Sequence, residues 1–284
     1  MKTLLVPTDL SKAAEAAVNF AVSFAQKEKA EIILLHVFRL KIVFPDESGE
    51  VDPKFAFEEQ ETVNKMMVKR CKQITDSKKV KCRYINTMGL AVDEILAAEE
   101  KIKPDFIVMG TKGASGAKKV ILGSNAAKVI EKSTCPVIAV PEGVKFGGIK
   151  KLTYAADYHA ADISAIRKLV EIAKPFRASI NVLHIASGEL LKAVEEPLMQ
   201  EFTAKVKRKV DYSNISFQLI FGKNVEKELE KYVRSHSTDL LAMSTVHRNF
   251  LEKLFGSSVT KRMAYHADIP LLAFHHKREA VLFI

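Results

Sequence analysis

Along the first 140 residues, short apolar runs alternate with longer stretches of helical periodicity. LLV within 3–8 reads as a buried strand, closed by Pro7 and carrying Asp9 at its carboxyl end. Ser11 is placed to cap the helix that follows, AAEAAVNFAVSFAQKE, whose alanine-rich apolar face recurs at helical spacing. EIILLHVF at 31–38 is a second buried strand, and a crossover of this length implies a parallel pair with right-handed winding. The polar, irregular stretch 41–58, with Pro45, Gly49 and Pro53, predicts a long loop. A helix over about 58–77, a third strand at 80–86, the helix AVDEILAAEEKI and a fourth strand at 105–109 follow. A glycine-rich loop, a helix from Ser124 and a fifth strand, CPVIAVP at 135–141, complete a doubly wound α/β domain. A ligand is expected beyond the carboxyl ends of the central strands, where Asp9, Val37 and Gly110 meet.

The pattern then starts again. LLHV at 34–37 returns as VLHI at 182–185 and Asp9 as Asp157, both at an offset of 148. Gly89 matches Gly222, and Gly123-Ser124 matches Gly256-Ser257, at an offset of 133. Two internally constant offsets mean a tandem duplication, with about 15 residues absent between the second and third strands of the second copy. Residues 141–150, PEGVKFGGIK, form the expected boundary, giving domains at 1–143 and 149–284. The fifth strands, VIAV and LLAF, are apolar and end their domains, so they are candidates to pair as an internal pseudo-dimer. Association of two chains into a homodimer is left open.

Composition narrows the function. No apolar run approaches a bilayer span, and MKTLLVPTDLS meets proline and aspartate too early for a signal peptide, so a cytoplasmic location without membrane contact is expected. Cys71, Cys82 and Cys135 lack metal-ligand spacing and read as reduced structural residues. Net charge is +10, but the basic residues are scattered among glutamates with no base-stacking face, which argues against nucleic acid.

The chemistry concentrates between Phe106 and Asn125. Gly110, Gly113, Gly116 and Gly123 are four of only 12 glycines, which points to a backbone that passes close to something or needs positive φ. Ser124 brings a hydroxyl to a helix N-terminus, where amide N–H groups and the helix dipole favour an anion such as phosphate.

The spacing of Gly110, Gly113, Gly123 and Ser124, with VPTD at 6–9 and the terminal CPVIAVP, resembles the nucleotide signature of the universal stress protein family. The second half resembles the same family through Asp157, VLHI, FGSS at 255–258 and IPLLAF, so the chain looks like a tandem member. That resemblance implies a five-stranded parallel sheet per half, of the adenine nucleotide alpha hydrolase-like type, and ATP with Mg²⁺ as ligand. It also implies roles: Pro7, Thr8 and Asp9 beside the adenosine, Val37 against adenine, Met109 and Gly110 near sugar and phosphates. Gly113, Gly123, Ser124 and Asn125 would then cradle the triphosphate, with Lys112, Lys118 and Lys119 adding positive charge. In the second half Ser244 and His247 replace Gly110 and Gly113, so weak or no ATP binding, or a different ligand, is expected there.

No Walker motif or dinucleotide fingerprint is present, and no nucleophile has an activating neighbour in sequence. His159, His184 and His247 fall near strand ends, but without ligand spacing they read as structure before metal site. The expected function is a stress-response sensor or binding module whose occupancy alters contact with an unidentified protein partner. The alternatives are a slow ATP-hydrolysing or nucleotide-transfer enzyme and a nucleotide-independent scaffold.

Overall fold

A computed structural model describes residues 1–38, 53–111, 123–144, 146–188, 192–244 and 269–275, with the side chains of 53–59 left aside. Its first half runs β1 (Thr3–Pro7), α1 (Lys12–Glu28), β2 (Glu31–Phe38), α2 (Pro53–Lys78), β3 (Cys82–Met88), α3 (Ala91–Ile102), β4 (Phe106–Gly110), α4 (Ser124–Lys132) and β5 (Val137–Val140). The second half continues with β6 (Lys151–Ala155), α5 (Ala160–Phe176), β7 (Ser179–Ser187), α6 (Lys192–Lys209), β8 (Ile215–Gly222), α7 (Val225–Ser235), β9 (Leu240–Ser244) and β10 (Leu271–Phe274). The sequence expectation of a loop over 41–58 needs correction at its end, because α2 already begins at Pro53. Proline is well suited to a first helical position, where its missing N–H has no intrahelical acceptor to lose. The third strand starts at Cys82, two residues later than its apolar pattern suggests.

All ten strands join one sheet, in the order β3-β2-β1-β4-β5-β10-β9-β6-β7-β8. Pairing is parallel within each half and antiparallel at the centre, where Leu271, Leu272 and Ala273 face Ala139, Ile138 and Val137. The fifth strands therefore pair with each other, and the strand order of the second half mirrors that of the first. Alternate side chains go to opposite faces. Leu4, Val6, Ile32, Leu34, Phe106 and Val108 join a core with α1, α2, α5 and α6, whereas Leu5, Ile33, Leu35, Ile107 and Met109 join another with α3, α4 and α7.

Helix ends repeat as closely as the strands. Lys29 and Arg177 terminate α1 and α5 with φ of 52° each, and Lys103 and Ser237 follow α3 and α7 with φ of 51° each. Left-handed backbone at matching non-glycine positions reflects shared geometry, since side chains disfavour that region. Asp105 and Asp239 also act alike. Asp105 accepts from the amide of Thr3 at 2.7 Å, and Asp239 from those of Lys150 and Lys151 at 2.7 and 2.8 Å, so each carboxylate ties the start of β4 or β9 to the start of its half's first strand.

The connection between halves is packed. Phe146 meets Phe20 of α1 edge-on at 4.6 Å and Phe176 of α5 at 6.0 Å. Among the described residues no helix is long and apolar enough to cross a membrane.

Ile138 and Leu272 face each other across the central pair, and both are fully buried. Ile138→Ala is expected to cost about 2–5 kcal/mol. Adding Leu272→Ala should cost less than its own single-mutant value, because the two side chains share one cavity. Urea denaturation of the four variants measures both.

Candidate functional site

The order of strands reverses between β1 and β4: β2 and β3 extend to one side, β4 and β5 to the other. A crevice opens at such a switch point, beyond the carboxyl ends of the strands. Here it is a cavity of about 150 Å³, lined by Pro7, Thr8, Asp9, Leu35, Val37, Met109, Gly110, Thr111, Gly123, Ser124 and Asn125, with Ala14, Ala91, Ile95 and Ala126. Nine of the sequence-derived candidates thus surround one space. Lys112 and Gly113, like Gly116, Lys118 and Lys119, lie outside the described residues.

The turn leaving β1 organises one wall. Thr8 donates its amide to Leu35 O at 2.8 Å, continuing the β1–β2 pairing, and its hydroxyl accepts from Leu10 N at 3.1 Å. Asp9 Oδ1 accepts from Ser11 N at 3.0 Å, and Ser11 Oγ caps α1 by accepting from Ala14 N at 3.2 Å. Leu10 is left with φ of 61°, a strained value for leucine that holds Asp9 at the mouth.

Gly110 needs its glycine first for packing. A Cβ there would lie 2.6 Å from Ala13 O, so the end of β4 touches the first turn of α1 directly. The sequence left open what this backbone passes close to, and at Gly110 one such partner is the protein's own backbone. The following residue was missed altogether. Thr111 is 3% exposed, its amide donates to Val140 O at 3.0 Å, and among the described residues its Oγ1 has no hydrogen-bond partner. A buried hydroxyl left unpaired costs about 1–3 kcal/mol, which a ligand acceptor would recover. Thr111 O accepts from Gly123 N, closing the two ends of 112–122 onto each other.

On the far side, Gly123 is the N-cap of α4, with no side-chain cap. Ser124 is consequently the first helical residue and not the capping hydroxyl. The amides of the first turn have no intrahelical acceptor, and they stand at the positive end of the helix dipole. The apolar side of the cavity is made by Leu35, Val37, Ile95 and Met109. One wall is therefore oily and the opposite end is a row of amide donors.

Among the described residues the second half builds a smaller counterpart of this crevice. Its cavity is about 30 Å³, lined by Leu183, Ile185, Val225, Leu229, Met243 and Ser244 around Asp157, His159 and Asp162. By the repeat, Asp162 stands where Ala14 does and Ser244 where Gly110 does. Asp162 is 2% exposed and accepts from Tyr154 Oη at 2.7 Å and from the amides of Asp157 and His159 at 3.0 Å each. Its carboxyl titrates above the usual aspartate range because burial disfavours the charge, although the three donors pull the other way. A buried carboxylate thus stands at the position that Ala14 holds in the first half. Neither candidate glycine nor serine of this half, Gly256 and Ser257, lies within the described residues, and His247 is also outside them.

The histidines are engaged with their own surroundings. His36 Nδ1 meets Asn86 Oδ1 at 3.1 Å. His184 Nδ1 lies 2.6 Å from Ala156 O, its Nε2 3.4 Å from Glu195, and its ring 4.1 Å from that of Tyr158. Among the described residues no three histidine, cysteine, aspartate or glutamate side chains are grouped to hold a metal ion.

A doubled switch-point fold, with a crevice in each half, defines a tandem α/β protein. The chain belongs to the universal stress protein family, whose model matches it twice, over residues 1–141 and 148–275. It is 31% identical over 147 residues to universal stress protein MJ0531 of Methanocaldococcus jannaschii, covering 51% of this chain and 84% of that protein. With universal stress protein YxiE of Bacillus subtilis it shares 32% over 143 residues, 48% of this chain and 97% of that one. At the level of fold, the crystal structure of a universal stress protein from Archaeoglobus fulgidus covers 97% of this chain and 98% of its own, with a TM-score of 0.72 at 18% identity.

The raised titration of Asp162 gives a pH prediction. As pH falls, the folded chain takes up this proton before the unfolded chain does, so acidification favours folding at this site. Relative to Asp162→Asn, the wild type should gain stability as pH drops from neutral through the raised value, levelling off below the ordinary value of 3.8. Urea midpoints of both proteins across that range test the sign.

Proposed function

We propose that the first-half crevice binds ATP and that the protein works as a nucleotide-dependent stress-response module, whose occupancy alters its contact with a protein partner. The observation that carries this reading is the pairing, in one cavity, of an apolar wall with the uncapped N-terminus of α4. The wall of Leu35, Val37, Ile95 and Met109 suits the flat, apolar faces of adenine. Pro7, Thr8 and Asp9 lie between that wall and β4, where the ribose would sit, with the exposed Asp9 carboxylate as acceptor for its hydroxyls. Ser124 and Asn125 present amides to the phosphates, and Thr111 Oγ1, without a partner among the described residues, supplies a further donor. In sequence, Lys112 and Gly113 continue this phosphate end. A Mg²⁺ ion would come with the triphosphate and keep mainly phosphate and water oxygens, as that ion commonly does.

The second crevice, with its carboxylate and smaller volume, has no place for the same ligand. One ATP per chain follows. Protein denatured directly after purification should release ATP identifiable by mass, and calorimetric titration of nucleotide-free protein should give one site. Val37→Asp, which puts a charge on the adenine wall, should weaken that site about tenfold or more. Two equal sites, or unchanged affinity in Val37→Asp, would contradict the assignment.

A further inference from the structure

Cys71 and Cys82 come together in the fold, although their spacing in sequence gave no reason to pair them. Cys71 lies on the buried face of α2, 8% exposed, and Cys82 opens β3, partly buried against the same core. Their sulfurs are 3.0 Å apart, and both are free thiols. A thiol–thiol approach this close leaves no atom between the two sulfurs. Cys135 is different: it is buried in the other core, and its thiol donates to Pro104 O at 3.2 Å.

We propose that Cys71 and Cys82 are a redox modification site, forming a reversible intramolecular disulfide when the protein meets a peroxide. Cys71 is the attacking sulfur. Its thiol is made more acidic by the hydrogen bond from Cys82, against the effect of burial and with help from the Arg70 guanidinium, whereas Cys82 is held protonated. The Cys71 thiolate attacks one peroxide oxygen, the O–O bond breaks, and hydroxide leaves, giving the Cys71 sulfenic acid. Cys82 sulfur then attacks Cys71 sulfur, the S–O bond breaks, and the Cys82 proton leaves with the departing hydroxide as water. Two thiols are oxidised by two electrons and one peroxide is reduced to two waters.

The bond would staple α2 to the outermost strand on that side of the sheet, since β3 pairs only with β2. Asn86 of β3 already reaches Asn64 of α2 at 3.0 Å, so the cross-link would reinforce an existing contact away from the crevice. Closing a loop of this length constrains the unfolded chain and raises stability without requiring a new fold.

The full chain treated with hydrogen peroxide and then alkylated under denaturing conditions tests the site. Expected are a loss of about 2 Da, corresponding to two hydrogens, one remaining alkylatable thiol, and a proteolytic fragment joining residues 71 and 82. Dithiothreitol should restore three thiols and lower the thermal midpoint by several degrees. Cys82→Ser should instead trap a sulfenic acid on Cys71, and Cys135→Ser should cross-link like the wild type. Three thiols surviving peroxide, oxygen adducts without a cross-link, a bond involving Cys135, or covalent dimers would each overturn the proposal.

Discussion

The antiparallel contact of β5 with β10 is the constraint on which the rest of the molecule depends. Four short residues on each side, all buried, convert two five-stranded sheets into one of ten and remove an apolar edge from each half. Because the pairing is antiparallel, both halves present their equivalent helices to the same face. That places α1 beside α5, with Phe20, Phe24, Phe146 and Phe176 closing the gap. The duplication thus supplies an internal partner, and each crevice opens at the carboxyl ends of its own half's strands.

With that frame shared, the described linings differ at Pro7, Thr8, Ala14 and Gly110, whose counterparts are Ala155, Ala156, Asp162 and Ser244. Small residues at the start of α1 let β4 end against its backbone, and Ala14 leaves the space above open. In the second half Tyr154 of β6 supports Asp162 in the same place, and the capping of α5 makes use of that carboxylate. The apolar wall persists in Leu183, Ile185, Leu229 and Met243.

Much of this was legible in the sequence. Strand periodicity and the two offsets yielded the α/β repeat and the pairing of fifth strands, strand-end geometry brought Asp9, Val37 and Gly110 together, and the family resemblance supplied most of the other candidates that line the cavity. What escaped depends on tertiary neighbours. Thr111 looked like loop, and only its burial shows a hydroxyl unpaired among the described residues. Gly110 looked like a ligand contact, and only the packing of α1 shows the backbone that requires it. Asp162 carried no signal that singled it out, and the Cys71–Cys82 pair is invisible until α2 folds back on β3.

The central claim is that the first-half crevice binds ATP and that the second, with Asp162 at the position of Ala14, does not. Hydrogen–deuterium exchange of the full chain, with and without saturating ATP and Mg²⁺, tests it most directly. Protection should appear in the amides of 8–11, 109–111 and 123–126, and the equivalent amides of 156–159 and 243–244 should exchange as before. Equal protection in both halves, or none in the first, would contradict the account.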